Sequence, residues 1–178
     1  MAIPYLMPGE PAPPLNVPLV GGGTFDLSRA PVRNFQMIVF YRGLFCVVCK
    51  KYVPHLARLR AGFDALGIDL IALSADGRTN AEEATTAWGL DGLSIGYDLS
   101  VEDMRRWGAF VSKGDTSLGQ PEVFAEPSLY LVKPDHSVFF ITLNSAPGGR
   151  PNPDELLEWL SFVVSKPAYP TRGRYFAV

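Results

Sequence analysis

Two cysteines three residues apart, in Cys46-Val47-Val48-Cys49, are the only thiols in this chain of 178 residues, and they stand where a strand pattern gives way to a helix pattern. Upstream, Gln36–Tyr41 is a short apolar run with β-branched and aromatic content, which reads as a buried strand. Downstream, Tyr52, Leu56, Leu59, Phe63 and Leu66 recur at gaps of four, three, four and three, one face of a helix predicted over 46–66. A helix start offers unpaired backbone N–H groups and the positive end of the dipole. A thiol placed there ionises below the ordinary value of about 8.5. The second sulfur follows one turn later, close enough to close a small disulfide ring. The spacing therefore points to a redox pair. Zinc would need four ligands, and the remaining nitrogen donors, His55 and His136, fall on a helix side and in a turn, so no metal is expected. Two inert buried cysteines are the other alternative.

The rest of the chain is ordinary globular material, with 47% apolar and 19% charged residues, and one domain over 1–178 is expected. A formal charge of −2 with no basic cluster argues against nucleic acid or an anionic membrane as a partner. No apolar run approaches the roughly 20 residues of a membrane span. Met1–Pro8 lacks a basic leader region and is broken by proline, from which a cytoplasmic location is expected. Two cysteines in a reducing compartment again favour redox use over a structural bridge.

Residues 1–35 read as an N-terminal extension packed on the domain, with extended pieces at Leu15–Val20 and Thr24–Leu27 turned by Gly21-Gly22-Gly23 into a hairpin. After the cysteine helix, Gly67 ends it and Ile68–Leu73 forms a buried strand. Asn80 and Glu83 suggest a capping box for a helix to Trp88. Ser94–Tyr97 is a strand, and Ser100 with Asp103 opens a helix to Trp107. Gly114–Pro121 reads as a polar loop. Ser128–Val132 and Val138–Leu143 make a hairpin about Pro134-Asp135-His136. Asn152-Pro153-Asp154-Glu155 caps a helix to about Val164, and 165–178 is an extended tail. The order β-α-β-α-β-α-β-β-α predicts an α/β thioredoxin-like three-layer fold: a central mixed β-sheet flanked by helices, carrying an N-terminal β-hairpin extension.

From about Pro8 to Val164 the chain resembles the thioredoxin-fold redoxins of the peroxiredoxin-like group, the alkyl hydroperoxide reductase and thiol-specific antioxidant superfamily. The resemblance is carried by Pro8-Gly9-Glu10-Pro11-Ala12-Pro13, Val39-Phe40-Tyr41-Arg42-Gly43, Ser74-Ala75-Asp76, Tyr97-Asp98, and Glu126-Pro127 leading into Ser128–Val132 and Lys133-Pro134-Asp135. Pro54 and Pro127 resemble thioredoxin features: a proline within the active-site helix and a cis-proline ahead of the hairpin. A cis Glu126–Pro127 bond, with Pro127 against Cys46 or Cys49, is therefore expected. Peroxiredoxins carry P-x-x-x-T-x-x-C. Here the same spacing reads Arg42-x-x-x-Cys46-x-x-Cys49, so Cys49 holds the peroxidatic position while Cys46 replaces the threonine and Arg42 the proline. The arginine that peroxiredoxins place before the later core strand is Pro127 or Ser128 here.

Cys46 is the expected nucleophile, exposed at the helix start, and Cys49 the expected resolving thiol. Arg42 is a candidate to stabilise a thiolate or sulfenate, against a solvated loop arginine. Phe45 lines the site beside Cys46. Glu126 would face the sulfurs if Pro127 were cis, raising a thiol or accepting a proton, against a surface glutamate. Arg150 reaches the same face to position substrate, or is only a turn residue. Trp88, Trp107 and Trp159 read as packing. The first functional reading is a thiol–disulfide oxidoreductase acting on a protein disulfide, with a reductant such as thioredoxin or glutathione. The alternatives are a peroxidase reducing hydroperoxides through a cysteine sulfenic acid, and a non-catalytic binding module. No organic cofactor is implied, and a homodimer is allowed.

Overall fold

The computed structural model describes residues 6–166 and 168–174. Five strands form the central sheet in the order β5-β4-β3-β8-β9: β3 (Phe35–Phe40), β4 (Ile68–Leu73), β5 (Ser94–Gly96), β8 (Ser128–Val132) and β9 (Val138–Leu143). The middle strand β3 is buried at every residue, as its unbroken apolar run requires. It lies parallel to β4, with Ile38 opposite Ile71, and antiparallel to β8, with Ile38 opposite Tyr130. Strand alternation then splits the core in two. Met37, Val39 and Tyr41 pack with α1 (Cys49–Ala65), α2 (Arg78–Trp88) and α4 (Pro153–Val164). Ile38 and Phe40 pack on the other face with Trp107, Tyr130 and Met104 of α3 (Val101–Arg106). This is the expected thioredoxin-like arrangement.

The N-terminal hairpin is present as β1 (Asn16–Pro18) paired with β2 (Thr24–Asp26). It is pinned to the edge strand β5, where Val20 N–H donates to the Ile95 carbonyl and Tyr97 N–H to that of Pro18. Leu15, Val17 and Leu27 are buried, which accounts for the alternation in that stretch. Gly67, at φ +68°, takes the left-handed turn that ends α1. The α4 cap is as the sequence indicates: Asn152 accepts from the Asp154 N–H, with Pro153 in the first turn.

Two expectations are corrected. The helix after the cysteines begins at Cys49, not Cys46. The helix predicted from Asn80 begins at Arg78 with Gly77 as its cap, and Asn80 turns its side chain to Asp76 instead. Gly114–Pro121 is a loop, as expected, and it joins a two-stranded ribbon that the sequence did not disclose, β6 (Val111–Lys113) and β7 (Val123–Ala125); at three residues each, these strands are too short to show a period. Of the tail from 165, Tyr169 folds back edge-on against Phe139 and Phe162. Met1–Tyr5, read for a leader, and Tyr175–Val178 lie outside the described residues.

Trp107 ties the second core together. Its ring meets Tyr130 at 4.9 Å and Phe40 at 6.1 Å, and its carbonyl accepts the buried Tyr130 hydroxyl at 2.9 Å. Trp107→Ala is expected to cost about 3–5 kcal/mol in denaturant unfolding.

Candidate active site

The loop from β3 into α1 places both sulfurs. Cys46 N–H donates to the Gly43 carbonyl at 3.1 Å, and the Cys46 carbonyl accepts from Lys50 N–H at 3.0 Å. Its sulfur accepts the Cys49 N–H at 3.2 Å. The Cys46 sulfur thus satisfies the N–H of the first helical residue from the turn ahead of α1; the cap position itself is Val48, which makes no side-chain hydrogen bond. Its side chain turns inward and the residue is 3% exposed; Cys49 is fully buried. An openly exposed Cys46 was expected; its sulfur instead turns to the Cys49 N–H. Exposure falls instead on its neighbours, Val47 at 71% and Val48 at 42%.

Asp76, buried after β4, braces this loop. Its carboxylate accepts from Leu44 N–H at 2.8 Å and from the Ser74 hydroxyl at 3.2 Å. Burial raises its pKa, against those donors and Asn80. Gly43 sits at φ +135°, and a Cβ there would stand 2.8 Å from the Asp76 carboxylate, so only glycine fits. Asp76 stands in the Ser74-Ala75-Asp76 stretch that carries the family resemblance, and an acid three residues past a core strand is the available signal.

The two thiols are free and share a proton. Hydrogen bonds from the Cys49 thiol and, against burial, the Cys49 backbone N–H, together with Arg150, pull Cys46 down to about 5. Cys49 is pushed up, first by its own burial, then by its hydrogen bond to Cys46 and, less, by the Cys46 charge. The resting pair is therefore a Cys46 thiolate bonded to a Cys49 thiol.

Arg150 supplies the cation. Its Nη2 lies 3.1 Å from Cys49 Sγ, and its guanidinium lies over the Tyr52 ring at 5.0 Å. The segment that carries it is anchored at both ends. Asn144 donates to the Pro127 carbonyl from both its backbone N–H, at 3.0 Å, and its side chain, at 3.1 Å. Beyond Arg150, Asp154 at the start of α4 pairs with His55 of α1 at 2.8 Å. Arg150, Tyr52, Thr142 and Pro127 line a cavity of about 10 Å³, room for one water.

Arg42 takes a different part from the one expected. Its backbone N–H reaches Cys49, but its guanidinium turns to Glu126, with Nε 3.2 Å from Oε2. The pair lies between Phe124, 4.8 Å from the guanidinium, and Phe45, 5.2 Å away. Glu126 also accepts the Ser112 hydroxyl at 2.7 Å. Glu126 is consequently buried rather than on the surface, and is spent on Arg42 and Ser112; it is not among the groups that act on either thiol. No cis peptide bond occurs among the described residues, so the expected cis Glu126–Pro127 bond is trans. The chain passes extended from β7 into β8 there, with Glu126 N–H donating to the Phe110 carbonyl at 2.7 Å, and extended backbone is what a residue before trans-proline prefers.

A family model described as AhpC/TSA matches residues 8–141. The chain belongs to the AhpC/TSA family. No curated protein matches it by sequence. Among solved structures, a peroxiredoxin-like protein from Aquifex aeolicus aligns over 90% of this chain and 89% of its own at 19% identity and a TM-score of 0.73. A reduced 2-Cys peroxiredoxin from Plasmodium vivax aligns over 97% and 92% at 17% identity and 0.74. A Chlorobium tepidum protein designated thiol:disulfide interchange protein DsbE aligns over 90% and 99% at 20% identity and 0.66. At these identities the likeness speaks for the fold, and the AhpC/TSA match makes the chain a thiol-dependent redoxin.

With Cys46 at about 5, its thiolate fraction rises through that pH and then levels off. Iodoacetamide labelling with peptide mapping should find Cys46 alkylated well ahead of Cys49 at pH 6, its rate falling about tenfold per unit once the pH drops below 5. Asp76→Ala should cost about 1–3 kcal/mol by leaving the Leu44 N–H without its acceptor, read in denaturant unfolding.

Proposed function

We propose that this AhpC/TSA redoxin is a thiol–disulfide oxidoreductase in which Cys46 attacks and Cys49 resolves. The observation that carries this reading is the inequality of the two sulfurs: Cys46 accepts hydrogen bonds from the Cys49 N–H and the Cys49 thiol and is lowered, while Cys49 is pushed up. The Cys46 thiolate displaces one sulfur of a substrate disulfide, and the departing thiolate takes up a proton. Cys49 then attacks Cys46 Sγ, closes the ring and releases the second substrate thiol. Two electrons pass to the substrate, and a dithiol such as thioredoxin, or glutathione, restores the pair. The exposed Val47 and Val48 give a protein substrate an apolar surface beside the attacking sulfur. The lowered Cys46 thiol speaks against a non-catalytic binding module.

One observation favours a second reading. Arg150 and the Arg42 N–H converge on Cys49, the sulfur that stands at the peroxidatic position, and two of the solved structures with this fold are a peroxiredoxin and a peroxiredoxin-like protein. In that reading the Cys49 thiolate attacks a hydroperoxide oxygen, releases an alcohol or water, and the sulfenic acid condenses with Cys46.

The cysteine variants separate the two. Cys49→Ser should accumulate a stable mixed disulfide with oxidised glutathione or reduced insulin's parent disulfide, seen by intact mass, and Cys46→Ser should accumulate none. Rapid hydroperoxide consumption by Cys46→Ser, with a sulfenic acid trapped on Cys49, would instead establish the peroxidase.

A further inference from the structure

We propose that Arg150 activates Cys49 for the second half of the reaction: once Cys46 is held in a mixed disulfide, the guanidinium 3.1 Å from Cys49 Sγ stabilises the thiolate that closes the ring. This rests on the disulfide-exchange reading above. The guanidinium lies 3.1 Å from Cys49, the sulfur that holds the proton at rest, and it also reaches Cys46, the one that carries the charge. It is therefore already in place when the charge must move to Cys49.

The groups around Cys49 change in the required direction when Cys46 reacts. At rest the Cys46 thiolate disfavours a second anion, by its charge and by holding the Cys49 proton in a hydrogen bond. In the mixed disulfide Cys46 is neutral and can hold no such proton. Burial still opposes a Cys49 anion, while Arg150 and the Arg42 N–H favour it. The other titratable groups nearby do not compete. Burial keeps the Tyr41 and Tyr52 phenols neutral. Glu126 is paired with Arg42, Asp76 is bonded to the Leu44 N–H, and on α4 Asp154 is paired with His55. Arg150 is not neutralised by any of them. Its Nε and Nη1 are buried without a hydrogen-bond partner among the described residues, so the cysteine pair is its counter-ion. A buried cation without a carboxylate partner is unfavourable unless an anion faces it, and the anion here moves between two sulfurs.

The step balances. The Cys46 thiolate forms a bond to one substrate sulfur and expels the other as a thiolate, which takes the Cys49 proton. The Cys49 thiolate forms a bond to Cys46 Sγ, breaks the Cys46–substrate bond and expels the second thiolate. The cysteine pair is oxidised by two electrons and the substrate disulfide reduced by two.

Two measurements test the proposal. In Cys46→Ala, which leaves Cys49 without its partner, the ultraviolet absorbance of the thiolate gives the Cys49 midpoint. It should lie at least about one pH unit below that of Cys46→Ala/Arg150→Met, a tenfold difference in thiolate at a given pH, with Arg150→Lys in the same background restoring part of it. In the two-cysteine protein, 5,5′-dithiobis(2-nitrobenzoate) releases one coloured thiolate on attack and a second on ring closure. Arg150→Met should slow the second phase by about tenfold or more and the first by clearly less, with Arg150→Lys between. Equal Cys49 midpoints with and without Arg150, or a first phase slowed as much as the second, would overturn the proposal. A wild-type protein inert to the reagent would remove the exchange reading, and the resolving role with it, even if Arg150 still lowers the Cys49 midpoint.

Discussion

The bond from the Cys49 N–H to the Cys46 sulfur, 3.2 Å long, is the contact on which the site depends. It sets a sulfur against the N–H of the first residue of α1, and so ties the ionisation of one thiol to the start of a helix. Everything around it serves to hold that geometry. The buried strand β3 fixes where the chain leaves the sheet. Gly43 gives the turn its left-handed residue, and Asp76 grips the Leu44 N–H so that the turn cannot unwind. Cys49, Val53, Leu56 and Phe63 seat α1 on the sheet. A more exposed Cys46 would meet substrate more readily but would lose the acceptor role that keeps it ionised.

The charges near the sulfurs are divided between two arginines with separate tasks. Arg42 is bound to Glu126 between two aromatic rings and lends the pair only its backbone N–H. Arg150 comes from the far end of the chain, after β9, and is the cation that touches sulfur. Arg150 lies beyond residues 8–141, the stretch that the AhpC/TSA family model matches.

Much of this was legible in the sequence because it rests on local signals. The strand before Cys46, the helix after Cys49, the Asn152 cap and the Pro134-Asp135-His136 turn are set by period, capping oxygen and backbone preference within a few residues. What was not legible depends on partners far along the chain. Arg42 and Glu126 were both singled out, but their pairing joins the loop after β3 to the link between β7 and β8, and it removes both from the roles expected of them. Arg150 was named to position substrate on that face and not to touch a sulfur, since its reach to Cys49 is decided by how α4 docks on α1 through His55 and Asp154. The trans bond at Pro127 likewise follows from β7 leading straight into β8, and β7 was hidden because three residues carry no period.

The central claim is that Cys46, not Cys49, is the sulfur that reacts first, and that disulfides rather than peroxides are what it reacts with. A competition on the reduced wild-type protein tests both at once. Equimolar hydroperoxide and oxidised glutathione are mixed with it, the reaction is quenched with acid in the first turnover, and the modified sulfur is located by peptide mass spectrometry. The account predicts glutathione carried on Cys46 and no oxygen on Cys49. A sulfenic acid on Cys49, with Cys46 unmodified, would contradict it.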